Sequence, residues 1–125
     1  MAVSERELQQ MKRNLARRSA RRSRELQRRL TEARRDFDRI VQRISEHYRP
    51  SRIWQWGSLI DGAHFTERSD IDIALEGITD APAFFAILAD AERLTRFPID
   101  IVQMEKIHPA YAESIRARGR IVYEP

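Results

Sequence analysis

Trp56-Gly57-Ser58 … Ser69-Asp70-Ile71-Asp72-Ile73-Ala74-Leu75 is the stretch whose reading decides the fold. Aspartate is depleted in strands, because a buried carboxylate must be paired or bound to a cation. Here two aspartates sit in a run that otherwise reads as a buried strand. Strand side chains alternate, so Asp70 and Asp72 are expected on one face and Ile71 and Ile73 on the other. Two carboxylates that close repel, and a divalent cation relieves the repulsion. Upstream, Gly57-Ser58 follows the apolar run Ile53-Trp54-Gln55-Trp56. A small-residue turn leaving a strand lets backbone N–H groups approach a phosphate, and the hydroxyl adds a donor. A phosphate cradle beside a carboxylate pair is the equipment of metal-assisted phosphoryl chemistry.

A third aspartate repeats the pattern. Pro98-Ile99-Asp100-Ile101-Val102 is another apolar run broken by one carboxylate. If this strand lies beside the first, Asp100 faces the same side as Asp70 and Asp72. The bland alternative leaves all three at exposed strand ends. It suits Asp70, a turn residue after Ser69, better than Asp72 or Asp100, each flanked by isoleucine on both sides.

The spaced Gly-Ser … Ser-Asp-Ile-Asp-Ile-Ala-Leu pattern resembles the minimal nucleotidyltransferases of the polymerase-β superfamily. The resemblance runs from about Arg52 to Pro125. It implies that Asp70 and Asp72 bridge two Mg²⁺ ions. It implies that Asp100 binds the catalytic metal and helps activate the nucleophile, and that Gly57 and Ser58 hold the triphosphate tail of ATP or another nucleoside triphosphate. Minimal members of the family often act as antitoxins that silence small helical toxins of the HEPN ribonuclease type by modifying a toxin hydroxyl. The sequence departs from the family at Asp61-Gly62, where many relatives carry a basic residue before the glycine, and the loop from Ser58 to Asp70 is slightly longer than usual.

With 125 residues the chain is long enough for one domain plus an appended helix. It contains no cysteine, which excludes disulfides and thiolate metal sites. No signal-like apolar segment or bilayer-length run is visible, so the expected compartment is the cytoplasm and no membrane contact is expected. The net charge of +4 hides an asymmetry. Residues 1–50 hold 15 Lys and Arg against 7 Asp and Glu, whereas residues 51–125 hold 8 against 12. The basic character belongs to the N-terminal segment, so the high pI is a poor argument that the whole protein binds nucleic acid.

The division expected is a long basic N-terminal helix over 1–50 and a nucleotidyltransferase domain over 51–125. Ser4 to Tyr48 contains neither Gly nor Pro and is rich in good helix formers. Leu26, Leu30, Ala33, Phe37, Ile40 and Ile44 recur at helical spacing, with Val41 and Tyr48 widening the stripe. Leu8, Met11 and Leu15 form a second stripe, slightly out of phase, beyond an Arg-rich interruption from Arg17 to Arg24. Ser4 and Glu7 form a capping-box pattern, and Pro50 stops the helix. The Arg-rich helix reads as a solvated face, as a docking arm for a protein partner, or as a phosphate-backbone contact. The apolar stripe has three candidate covers: the chain's own sheet, a second copy, or a partner.

Beyond Pro50 the pattern predicts strands at Arg52–Trp56, Asp70–Leu75, Phe97–Val102 and Ile121–Tyr123. A helix capped by Asp80 and a short one from Pro109 to Arg118 separate them. Strands alternating with helices predict an α+β fold, with a small mixed sheet of the nucleotidyltransferase type covered by helices. Trp54 and Trp56 read as core rather than a base-stacking platform. Tyr111 and Tyr123 read as packing. His47, His64 and His108 share no metal-site spacing.

The function expected is metal-dependent transfer of a nucleoside monophosphate, AMP from ATP, to an acceptor hydroxyl on a partner toxin. The alternatives are a catalytically inert binding antitoxin on the same fold, and a nucleic-acid-binding module that uses the Arg-rich helix.

Overall fold

The computed structural model describes residues 2–125. Its order is α1 (Glu5–His47), β1 (Arg52–Trp56), β2 (Ile71–Glu76), α2 (Ala81–Leu94), β3 (Ile99–Gln103), α3 (Pro109–Arg118) and β4 (Arg120–Tyr123). Each boundary has a local cause. The Ser4 hydroxyl accepts from the Glu7 N–H at the start of α1. At its end the Tyr48 N–H bonds the Ile44 carbonyl, Arg49 turns left-handed, and buried Pro50 forbids continuation. Asp80 caps α2 by accepting from the Ala83 N–H, with proline in the first turn, and His108 Nδ1 does the same for α3 through the Ala110 N–H.

The sheet order is β3-β2-β1-β4. β1 is antiparallel to both β2 and β4, whereas β3 runs parallel to β2 after the crossover through α2. A bulge between Ile53 and Trp54 shifts the β1–β4 register. Five strand boundaries shift from expectation by one or two residues: β2 ends at Glu76 and β3 at Gln103, β4 starts at Arg120, and the starts of β2 and β3 also move. β2 starts at Ile71, leaving Asp70 just ahead of it, and β3 starts at Ile99 because Pro98 cannot donate to the ladder.

The alternation of the strands sorts the molecule into two cores. Ile53, Ile71, Ile73, Leu75 and Ile101 face α1 and α2, where they meet Leu30, Ala33, Phe37, Ile40, Ile44, Ile87 and Ala91. On the opposite face Trp54 and Ala74 pack with Met104 and with Ala112 and Ile115 of α3. The two longer helices thus share one face, and the short α3 covers part of the other. The buried indole of Trp54 donates to Glu76 at 2.7 Å, which satisfies its polar tip.

α1 spans 43 residues, about 65 Å at the α-helical rise. Only its second half meets the domain, and every residue from Ala2 to Glu25 is exposed. The second half also braces the loop between β1 and β2. Arg34 donates to the Leu59 carbonyl and Arg29 to that of Glu67. A Cβ on Gly62 would press against Leu30 and Arg34, so the loop lies tight on the helix.

Candidate active site

The site lies on the sheet face that carries Trp54 and Trp56. Asp72 and Asp100 are Cα partners on adjacent parallel strands, and Trp56 is the antiparallel partner of Asp72. Neighbouring strands lie about 4.8 Å apart, so two carboxylates stand side by side on one face. Asp70 is half-buried just before β2.

The electrostatics record this crowding. The Asp72 carboxyl is pushed up to about 7, first by burial and then by the negative charges of Asp100 and Asp70. A group in that position lacks a counter-charge, and a cation would supply one. Among the described residues no three acidic or imidazole side chains converge closely enough to enclose a metal ion by themselves. The donor set still fits Mg²⁺. That ion takes hard oxygen ligands and is usually held by one or two carboxylates, with water and substrate phosphates completing its shell.

Gly57 closes over this pair. Its φ is +84°, and an added Cβ would collide with the Asp72 carboxylate. Only glycine lets the backbone pass there without strain. The next residue, Ser58, donates through Oγ to Ser69 Oγ at 3.0 Å, and Ser69 Oγ also accepts from the Thr66 N–H at 2.8 Å. The two ends of the loop are thereby tied together, which fixes the Gly57 turn relative to Asp70. Asp61 takes no part: its exposed carboxylate accepts from the Ala63 N–H in a local turn and stands 3.8 Å from His64. The five residues singled out in the sequence therefore belong to one neighbourhood. The serine pair that braces it was not foreseen as a unit.

A further group belongs here. Trp56, Gly57, Tyr111, Ser114, Ile115 and Arg118 line a hollow of about 230 Å³ between the end of β1 and α3. Tyr111 meets Trp56 edge to face, with centroids 5.5 Å apart. Its hydroxyl is raised above the usual phenol range by burial and by the charges of Asp100 and Asp72. Tyr111 and Trp56 are thus neighbours of the carboxylates as well as packing residues. The one sequence signal was that Trp56 directly precedes Gly57 and lies on the same strand face as Trp54.

No family model matches the chain, and no curated protein does. Among solved structures it is similar to a toxin–antitoxin chain crystallised with AMP-PNP. The identity is 17%, the TM-score 0.61, and the match covers 71% of this chain and 73% of that one. A chain from the toxin–antitoxin complex MntA-HpeT bearing two Asp-to-Glu exchanges is similar at 15% identity and TM-score 0.58, with the same coverage. At such identities the likeness is one of fold. The chain is an α+β protein with a small mixed four-stranded sheet, extended by a long N-terminal helix, and it shares that fold with these toxin–antitoxin chains.

Proposed function

We propose that this chain is a nucleotidyltransferase that moves a nucleoside monophosphate, AMP from ATP, onto a hydroxyl of a partner toxin, and so acts as its antitoxin. The observation that carries the reading is the in-register Asp72–Asp100 pair beneath the Gly57 turn. The fold it shares with chains of toxin–antitoxin complexes, one of them crystallised with AMP-PNP, supports it.

The Gly57–Ser58 turn would hold the triphosphate tail through backbone N–H groups. Asp70, Asp72 and Asp100 would hold Mg²⁺, which supplies charge neutralisation and alignment when bound. Trp56 and Tyr111 offer aromatic surface for the nucleoside, and Arg118 at the rim adds a cation. Asp100, on the outer strand, would take the acceptor's proton as its oxygen attacks the α-phosphorus. The new oxygen–phosphorus bond forms as the bond to the β-phosphate oxygen breaks and pyrophosphate leaves.

The test uses α-labelled ATP and Mg²⁺ with the purified chain and the product of the neighbouring gene. Gel and intact mass would follow the label, with Asp72→Ala as control. A nucleotidyl-sized mass gain on the partner, absent with the control, is expected. A tight complex without transfer would replace the enzyme by a binding antitoxin.

A further inference from the structure

The exposed half of α1 is continuous with its buried half. Eighteen residues make five helical turns, so Leu8, Leu26 and Ile44 lie on one line, with Leu15 and Phe37 about 20° either side. The offset between the two stripes read from local spacing closes over the full 43-residue helix. Leu26, Phe37 and Ile44 face the domain, so Leu8 and Leu15 point to the same side. Leu8, Met11 and Leu15 stand 44%, 52% and 62% exposed. Their i, i+3, i+7 spacing is that of the anchors by which a helix enters an apolar groove.

The place where α1 leaves the domain matters as much. It passes over the loop that carries Ser58 and Ser69, and a hollow of about 400 Å³ lined by Arg22, Leu26, Thr66, Glu67 and Arg68 sits in the angle. A body filling that angle touches the arm together with Thr66, Glu67 and Arg68, the part of the loop that Ser69 ties to Ser58. Residues 2–24 hold eight Lys or Arg against two Glu, and Lys12 and Arg22 flank the apolar line at about 40°. Two arms laid face to face would set these cations against one another, which disfavours a second copy. Phosphates make no use of a leucine line, which disfavours RNA.

Resting on the reading above, we propose that the exposed half of α1 is the docking arm for the acceptor protein, whose own surface presents an apolar groove rimmed by carboxylates. The arm holds the acceptor in the angle beside the β1–β2 loop.

The experiment uses the full chain carrying Leu8→Ser, Met11→Ser and Leu15→Ser, and separately Lys12→Glu with Arg22→Glu. The neighbouring gene product is the probe. All these sites are exposed, so thermal unfolding and Mg–ATP binding should match the wild type. Affinity for the probe should fall about 10- to 100-fold in each variant, and label transfer should fall in step. Unchanged affinity overturns the docking role while leaving the enzyme reading intact. Loss of Mg–ATP binding by the wild type would instead sink the enzyme reading. No complex between wild type and probe overturns the partner assignment. A dimer in light scattering that the serine variant abolishes overturns it in favour of a second copy. Salt-steep binding of tRNA that survives the serine changes overturns it in favour of RNA.

Discussion

Asp72 carries a conflict between stability and chemistry. Its carboxyl has an ordinary value of 3.8 and is pushed up to about 7 in the fold. The folded state therefore holds this proton more tightly than the unfolded chain does. The stability so gained is complete below about pH 3.8, drains as pH rises, and is gone above about pH 7. Asp72→Asn removes the titration. In metal-free buffer it should leave stability unchanged near pH 3.5 and raise it by pH 8 by on the order of 1–2 kcal/mol, allowing for solvent screening of a half-buried group. Urea unfolding at the two pH values checks this, and a variant no more stable at pH 8 would refute the crowding argument. Mg²⁺ should raise the melting temperature of the wild type at pH 8 and leave that of Asp72→Asn nearly unmoved. Gly57 lies close against the same group. Gly57→Ala should cost about 1–3 kcal/mol, from positive φ and from the collision. Combining it with Asp72→Ala should recover the collision part only, so a double-mutant cycle reads the contact directly.

At the scale of elements, α1 is held by a few defined ties. Phe37 and Ile40 sit in the core, and Phe37→Ala should cost about 3–5 kcal/mol, whereas Leu15→Ala on the exposed half should stay within about 0.5 kcal/mol. The second tie is polar. Asp36 is buried on α1 and accepts from Thr95 Oγ1 at 2.7 Å, while the same hydroxyl accepts from the Phe97 N–H at 3.1 Å. Thr95 thus joins α1 to the corner between α2 and β3, the strand that carries Asp100. Thr95→Val keeps the shape, removes both bonds and leaves the buried Asp36 carboxylate only its 3.7 Å ion pair with Arg39. Equilibrium unfolding should show a loss of about 1–3 kcal/mol. This tie was not legible in the sequence, because Asp36 occupies a helical position like any solvated acid and its partner lies 59 residues away. The apolar periods, caps and turn residues, by contrast, placed every strand and helix to within a few residues, since each depends on neighbours in the chain. The carboxylate pair was legible for the same reason: a charge flanked by isoleucines in a strand has few destinations. The contribution of Tyr111 was not, because the packing of α3 on the Trp54 face is a tertiary fact.

For the whole molecule, the separation of charge assigns different work to the two faces of the arm. Arg6, Arg13, Arg17, Arg21, Arg24, Arg28 and Arg35 fall within about 40° of the line opposite Leu8 and Leu15. Among these only Arg28 has a carboxylate partner in the structure, Glu25 at 2.7 Å, and that pair is exposed. Such a ladder creates a positive field along the arm, while residues 51–125 carry more acid than base. Fields act on encounter, and desolvated apolar contacts act on residence. Stopped-flow binding to the acceptor should therefore separate them. Raising salt from about 50 to 500 mM should slow association roughly tenfold or more and change dissociation little. Charge-neutral Gln exchanges at Arg13, Arg17 and Arg21 should mimic that salt effect at low ionic strength, because they lower the field without touching the apolar line. The serine changes at Leu8, Met11 and Leu15 should leave association nearly unaltered and speed dissociation, since they remove buried contact and no charge. If the arginine exchanges sped dissociation as much as the serine changes do, the ladder would be part of the contact itself, and the acceptor would wrap the helix rather than fill one angle beneath it.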